Sequence, residues 1–131
     1  MDLGFYNMDC MEGMKQFPDK FFDLAIVDPP YGGVTQGGYM KNKMGGGAAK
    51  NRNDYHFKLY EWLLNKYAKP GDIILDTHVG SASSLIACHN THHRYVGFEI
   101  DPVYYRMAKK RLNDAEAQMN IFDYLDGGND V

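Results

Sequence analysis

Apolar positions along the 131-residue chain alternate between short unbroken runs and longer stretches with helical spacing. The clearest short run is Leu24 to Val27, bounded by Asp23 and Asp28, which is typical of a strand covered on both faces. Short strands are also indicated from Phe5 to Asp9, from Ile73 to Asp76 and from Arg94 to Glu99. The pattern therefore predicts four strands, over residues 5–9, 23–28, 73–76 and 94–99.

Helical spacing of apolar residues fills the gaps between these runs. Pro18 and Pro70 stop two of the helices, and Asp54 and Asp101 are suited to be N-caps, with Pro102 in a first turn. Helices are predicted over 11–17, from Asp54 to the Pro70 stop, over about 81–88, and from Asp101 onward. Strands separated by such helices indicate an α/β fold with a mostly parallel sheet, which binds ligands at the carboxyl ends of its strands.

Residues 32–53 form a glycine-rich segment, and this much backbone freedom predicts a flexible loop. Five bases and one acid make residues 41–58 locally basic, although the net charge of the chain is −3. On charge alone, both a solvated loop and a surface that follows DNA phosphates stay open. The candidate DNA-binding residues are Lys41, Lys43, Lys50 and Arg52.

Length and composition predict a single globular domain over residues 1–131. Hydrophobic residues make up 44% of the chain and charged residues 24%, which excludes a disordered or collagen-like protein. The apolar runs are far shorter than the roughly 20 residues that a membrane span needs. Two cysteines are too few for a disulfide scaffold, so we expect a cytoplasmic protein.

The residues Asp28-Pro29-Pro30-Tyr31 directly follow the second apolar run. They suit transfer of an electrophilic group to the exocyclic amine of a base, which is a poor nucleophile because its lone pair is delocalised. The Asp28 carboxylate and the Pro29 carbonyl can accept hydrogen bonds from that amine and hold it for attack. Tyr31 offers an aromatic face on which an extruded base can stack. These are candidate catalytic residues, although a simple proline turn at a strand end has the same sequence.

A second candidate site lies at the ends of the third and fourth strands. Asp76 ends one strand, and Gly80 permits close approach of the backbone to a ligand. Ser81 and Ala82 present N–H groups at the start of a helix. Glu99 ends the next strand and can accept two hydrogen bonds from ribose hydroxyls. Since no full GxGxxG occurs, the pattern favours a nucleoside cofactor without phosphates over a dinucleotide.

With these motifs, the chain resembles the DNA amino-methyltransferases that act on adenine N6 or cytosine N4, in the order that places the catalytic motif before the cofactor motif. The resemblance implies a Rossmann-like, three-layer methyltransferase sheet of bacterial or phage origin, with S-adenosyl-L-methionine as cofactor and DNA as partner. It rests on Tyr6-Asn7-Met8-Asp9-Cys10, Asp28-Pro29-Pro30-Tyr31, residues 69–76, Gly80-Ser81 and residues 97–102.

The resemblance also implies roles for individual residues. Residues 28–31 correspond to the catalytic motif, and Asp28 in its first position favours adenine over cytosine as the target. Asp76, Gly80 and Ser81 correspond to the loop beside the methionine part of the cofactor. Glu99 corresponds to the ribose acid, and Asp9 lies near the adenine of the cofactor. The implied cofactor-binding residues are Asp9, Cys10, Asp76, Gly80, Ser81, Ala82, Glu99 and Ile100.

The chain departs from the family pattern in its cofactor loop and in its length. Thr77-His78 and Ala82-Ser83-Ser84 stand where the family usually has Pro-Phe and Gly-Thr-Thr, and residues 53–56 replace a Gln-Lys-Pro stretch. Only residues 32–54 stand where the family has three further strands and a target-recognition segment. A catalytically silent or split-enzyme remnant that binds cofactor or DNA is therefore the alternative to an active enzyme, and cytosine N4 is the alternative target.

This shortening would leave strand 23–28 as a sheet edge with unpaired backbone groups. We expect self-association through this strand, a second polypeptide that completes the sheet, or an internal region that is absent from this sequence.

Two further features have simpler explanations than ligand binding. Cys88, His89, His92 and His93 could supply metal ligands, but their irregular spacing favours a helix end and its turn, so no metal is expected. Trp62 lies on the second helix and is predicted to pack in the core.

Overall fold

The computed structural model describes residues 1–28 and 49–126, with side chains for residues 1–28 and 57–118. These residues form a sheet of short strands connected by helices. The strands are β1 (Gly4–Tyr6), β2 (Leu24–Ile26), β3 (Ile73–Asp76) and β4 (Arg94–Phe98). The helices are α1 (Cys10–Met14), α2 (Ala49–Tyr67), α3 (Ser83–Asn90) and α4 (Pro102–Asp126).

Every pair of neighbouring strands in this sheet is parallel, and the strand order is β1-β4-β3-β2. Tyr6 is paired with Phe98, and Asp76 is paired with both Ile26 and Gly97. The strands therefore end in line, and their carboxyl ends share one edge of the sheet. The predicted α/β fold with a parallel sheet is confirmed.

Apolar side chains pack on both faces of the sheet. In β3, Ile74 packs with Leu64 of α2 and with residues of α3, whereas Leu75 packs with Phe17 on the opposite face. Ile74 is 0% exposed and Leu75 is 4% exposed. Burial on both faces explains the unbroken apolar run of β3, because a strand with one solvated face would alternate. Helices α2, α3 and α4 pack on one face and α1 on the other, which gives three layers.

Two helices begin at positions that differ from the prediction. Helix α2 begins at Ala49, five residues before the predicted Asp54 cap, because Ala49, Lys50 and Arg52 favour helix and no glycine interrupts them. The predicted loop is therefore wrong for residues 49–53, while residues 29–48 lie outside the described part. Helix α3 begins at Ser83 and not at residue 81, because Ala82 precedes it in the left-handed conformation, with φ of 68°.

Strands β1 and β2 are shorter than predicted, and aspartates close to them form other hydrogen bonds. Asp9 caps α1, and its Oδ1 accepts the N–H groups of Met11 at 2.9 Å and Glu12 at 3.2 Å. The Asp23 carboxylate accepts the Ile73 N–H at 2.8 Å. The predicted Asp101 cap is confirmed, since its Oδ1 accepts N–H groups in the first turn of α4.

The predicted burial of Trp62 is wrong. Helix α2 presents Leu64 to the core at 1% exposure, and a residue two positions away faces the opposite side of a helix. Trp62 is 54% exposed, with the Lys66 ammonium 4.8 Å from its ring centroid. In the described part of the chain, no helix is long and apolar enough to cross a membrane.

Candidate functional site

A cleft opens at the carboxyl ends of β1, β4 and β3, where the sheet turns into its connecting loops. It brings together four of the predicted cofactor-binding residues, Asp9, Cys10, Glu99 and Ile100. Three chain segments form its walls, and the lining residues are Met8, Asp9, Cys10, Thr77, His78, Phe98, Glu99 and Ile100.

Glu99 connects two of these segments through its carboxylate. Its Oε2 accepts the Gly80 N–H at 3.0 Å, and its Oε1 accepts the Asp101 N–H at 3.0 Å. Each carboxylate oxygen has two acceptor positions, so each can accept one further bond. The half-buried Glu99 side chain can therefore hold the loop in place and still accept two hydroxyl groups of a ligand.

Asp76 is 2% exposed and does not line the cleft. Its Oδ1 accepts the His78 N–H at 2.9 Å, and its Oδ2 accepts the Ser84 hydroxyl. Burial raises the pKa of Asp76, and the negative charge of Asp28 also raises this pKa. In this conformation Asp76 shapes the loop between β3 and α3, and its predicted place beside the methionine part of the cofactor stays a prediction.

Gly80, Ser81 and Ala82 form the turn before α3 and also lie outside the cleft lining. Gly80 has φ of 58°, a left-handed conformation that glycine adopts readily. Ala82 is fully buried, and its N–H donates to the Val79 carbonyl at 3.2 Å, so this N–H is already used inside the turn.

The exposed Ser81 is held by a residue that the sequence did not single out. Nη1 of Arg111, on α4, donates to the Ser81 carbonyl at 2.7 Å and to the Ser83 hydroxyl at 2.9 Å. Helix α4 therefore fixes the turn that precedes α3.

Asp28 is exposed two residues beyond the end of β2, on the sheet edge that also carries the cleft. Ile26 is paired with Asp76, and the charge of Asp28 acts on Asp76. The remaining catalytic candidates, Pro29, Pro30 and Tyr31, lie outside the described residues. The same holds for Lys41 and Lys43, and for the side chains of Lys50 and Arg52.

The predicted set of cofactor-binding residues omits four residues that line the cleft. Met8, Thr77, His78 and Phe98 directly neighbour predicted residues at strand ends, so extending each motif by one or two positions would have found them. The Thr77 hydroxyl and the His78 Nδ1 are 2.8 Å apart, which links these two neighbours.

The cysteine and histidines near the end of α3 form no metal site within the described residues, where no group of three or more potential ligands occurs. Cys88 is fully buried, and desolvation raises the pKa of its thiol to about 12. His93 is buried beside the helix end, where its backbone N–H donates to the Cys88 carbonyl at 2.9 Å.

Comparison with known proteins finds relatives of part of this chain. Residues 54–110 match the family of N6 and N4 DNA methylases. The Type II methyltransferase M.HpaI of Haemophilus parainfluenzae is 35% identical over 68 residues, which cover 52% of this chain and 21% of that protein.

Two solved structures also match. TTHA0409 of Thermus thermophilus, in complex with S-adenosyl-L-methionine, is 32% identical with a TM-score of 0.43, over 45% of this chain and 25% of that chain. The M1.HpyAVI complex with the same cofactor is 34% identical with a TM-score of 0.41, over 42% and 28%. The chain thus spans only about a fifth to a quarter of the length of these relatives. The match of residues 54–110 and the M.HpaI identity confirm the resemblance to the N6/N4 DNA amino-methyltransferase family.

Proposed function

We propose that this chain provides the cofactor and catalytic parts of a DNA methyltransferase that transfers a methyl group from S-adenosyl-L-methionine to adenine N6. One observation carries the proposal: the strand order places Glu99, Asp76 and Asp28 at the ends of three adjacent strands, along one sheet edge. The family match and the cofactor found in TTHA0409 and M1.HpyAVI support it.

The cleft has the groups that the nucleoside part of this cofactor needs. Met8, Phe98 and Ile100 provide an apolar wall for a purine ring. Glu99 retains an acceptor position on each oxygen for the two ribose hydroxyls, and Asp9 adds a carboxylate to the same wall. When bound, the cofactor supplies a methyl group on a positively charged sulfur.

The chain's own contribution to the reaction is to hold the target amine. Asp28 is exposed beyond β2, where its carboxylate can accept a hydrogen bond from the exocyclic N–H and orient the nitrogen for attack. After the nitrogen takes up the methyl group it must lose a proton, and Asp28 can accept it. The Pro29 carbonyl is the proposed second acceptor, and Tyr31 is the proposed stacking surface for the extruded base.

The decisive experiment compares Asp28→Asn and Asp28→Ala with Asp19→Asn, a control at another exposed aspartate. Transfer of tritium-labelled methyl from the cofactor to unmethylated DNA is measured, together with the affinity for S-adenosylhomocysteine. We expect both Asp28 variants to lose transfer and to keep the affinity, and the Asp19 variant to retain both. Transfer at the unchanged rate in both Asp28 variants would refute the assigned role.

Digestion of the labelled DNA decides the target base. N6-methyladenine supports the proposal, whereas N4-methylcytosine replaces the target while leaving the reaction class unchanged.

A non-catalytic role is the second candidate, and two observations favour it. The matched relatives are about four to five times longer than the matched part of this chain. In addition, the Asp76 carboxylate and the Ala82 N–H are already engaged within the cofactor loop. Calorimetric binding of S-adenosylhomocysteine without any methyl transfer by the wild type would support this second candidate.

The basic residues Lys41, Lys43, Lys50 and Arg52 are proposed to contact DNA phosphates. Neutralisation of phosphates makes the logarithm of the affinity fall with the logarithm of the salt concentration, with a slope of roughly 0.9 per phosphate. Replacing all four with glutamine should lower this slope, and an unchanged slope would remove them from the interface.

The edge strand β2 is proposed to pair with another polypeptide, either a second copy or a completing subunit. Within the described residues, β2 is paired with β3 alone. Val27 is 63% exposed directly after this strand, and a charged residue at a sheet edge opposes strand addition. Sedimentation of Val27→Lys should show fewer dimers than the wild type, while Val103→Lys, at a 53% exposed position on α4, serves as the control. A wild type that is monomeric at all concentrations would refute self-association.

A further inference from the structure

The side chain of Asn7 connects two of the three segments that form the cleft. Its Nδ2 donates to the Glu99 carbonyl at 2.7 Å and to the Ile100 carbonyl at 3.2 Å. Both partners are carbonyl oxygens, which can only accept, so the amide nitrogen must face them. One NH2 group thus holds two consecutive carbonyls and fixes the peptide between them.

These bonds begin where the backbone ladder of the sheet ends. Tyr6 and Phe98 are the last paired residues of β1 and β4, and the Glu99 N–H donates to the Tyr6 carbonyl at 3.0 Å. Beyond this bond, the chain after β4 turns towards α4 and leaves the parallel register. The Asn7 amide supplies the next donors, and so extends the connection between the two strands past the regular sheet.

The position of Asn7 matters because cleft residues lie on both sides of its bonds. Met8, Asp9 and Cys10 follow it directly, and the two residues whose carbonyls it holds also line the cleft. The Glu99 carboxylate then reaches Gly80 in the cofactor loop. The Asn7 bonds set the distance between residues 8–10 and residues 98–100 of the cleft. They thereby also set the orientation of the Glu99 carboxylate, which holds the loop that contains Gly80.

We propose that Asn7 is a positioning residue for the cofactor, which acts by holding Glu99 and Ile100 in the geometry that binds the nucleoside. This inference rests on the proposed function. It assigns Asn7 no contact with the cofactor and no part in the transfer of the methyl group.

The test uses Asn7→Asp, which keeps the size of the side chain and replaces the donor by a carboxylate facing two carbonyl oxygens. The matched control is Asn90→Asp. Asn90 is the last residue of α3, far along that helix from the cleft, and its Nδ2 donates to the Glu61 carboxylate at 2.7 Å. In each variant a carboxylate oxygen replaces the NH2 group that donates the hydrogen bond, but only residue 7 adjoins the cleft.

Affinity for S-adenosylhomocysteine is measured by calorimetry, and stability by urea unfolding, for the full chain of each variant. We expect Asn7→Asp to bind about five- to tenfold more weakly than the wild type at neutral pH, since a lost hydrogen bond changes an equilibrium by roughly that factor. Asn90→Asp should bind within about twofold of the wild type, whatever it loses in stability.

A pH series separates positioning from general loosening of the fold. Protonation of the introduced carboxyl restores one donor, so the deficit of Asn7→Asp should shrink as the pH falls towards about 4, the ordinary pKa of an aspartate. Asp9, Glu99 and Asp101 carry the other carboxylates of these segments and are present in the wild type, so the ratio of the two affinities cancels their titration. Asn7→Ala removes the donor without adding a charge, and its deficit should be the same at every pH.

The outcomes separate the two proposals. No binding by the wild type would overturn the proposed function, and the role of Asn7 with it. The role of Asn7 alone would be overturned if the wild type binds and both Asn7→Asp and Asn7→Ala keep its affinity, or if Asn90→Asp loses as much affinity as Asn7→Asp.

Discussion

Replacement of Gly13 by alanine tests the packing that forms the wall of the cleft. Gly13 lies in α1, and an added Cβ would stand 2.1 Å, 2.5 Å and 2.7 Å from three ring atoms of Phe98. Phe98 is 0% exposed and packs with Phe17, Leu75 and Val96, so its ring has little room to move. The clash therefore cannot be relieved without moving α1 or the end of β4.

Two opposing effects decide the magnitude. Alanine favours a helix interior over glycine by about 1 kcal/mol, which would stabilise the variant. Overpacking of a filled core costs about 1–3 kcal/mol, and contacts far below 3 Å with three atoms of a buried ring belong at the upper end. We therefore expect Gly13→Ala to lower the free energy of unfolding by about 1–2 kcal/mol.

Urea unfolding followed by circular dichroism measures this change, and a double-mutant cycle with Phe98→Leu assigns it to the contact. Leucine lacks the ring atoms that the new methyl group meets. In that background the propensity gain should dominate, so Gly13→Ala should be neutral or stabilising. The reasoning is refuted if Gly13→Ala stabilises the wild type, or if its cost is the same in the leucine background.

Three further predictions concern stability and thiol chemistry. The buried Cys88 thiol, whose pKa is raised to about 12, should react with Ellman's reagent at pH 8 only after unfolding. The half-buried Cys10 thiol should react in the native protein, and S-adenosylhomocysteine should protect it. Since burial raises the pKa of Asp76 above its ordinary value, its contribution to stability is largest below about pH 4 and is lost as the pH rises through the raised value. The free energy of unfolding of the wild type relative to Asp76→Asn should therefore fall from pH 4 to pH 7, and a constant or rising difference would contradict this. Leu64→Ala, at a 1% exposed position, should cost about 2–5 kcal/mol, and Leu59→Ala, at a 53% exposed position, less than about 1 kcal/mol by urea unfolding.

Strand β3 could be predicted because its short apolar run is covered on both faces, with Ile74 and Leu75 facing opposite layers. In β2, by contrast, Ala25 is exposed, so the predicted cover on both faces is wrong for that strand. Helix ends were harder to place. The start of α2 at Ala49 depends on the sum of several weak helix propensities. The start of α3 depends on the left-handed conformation of Ala82, which an alanine rarely adopts and which the sequence therefore does not predict.

The candidate site was only partly predictable as a set of residues, since four of its eight lining residues were predicted, and it was not predictable as an arrangement. The end of a strand indicated Glu99, because ligands bind where parallel strands end, whereas Asp9 was implied by the family resemblance. Asp76 and Ser81 do not line the cleft, because other residues hold them by hydrogen bonds. The Asp76 carboxylate accepts from Ser84, and the Ser81 carbonyl accepts from Arg111 of α4. Such bonds join residues that lie apart in the chain. Residue type and spacing contain no information on which of these partners meet.

The cleft is held by the same groups that are proposed to bind its ligand. Asp9 caps α1, and the Glu99 carboxylate bridges Gly80 and Asp101, so both carboxylates already serve the backbone. Loss of either would therefore lower stability and affinity together, and a loss of binding alone would not prove contact with the cofactor. Asn7 differs, because the hydrogen bonds of its amide go to the backbone carbonyls of Glu99 and Ile100 and not to the side chains that are proposed to bind the ligand. Its variants can therefore separate the placement of the binding groups from the groups themselves.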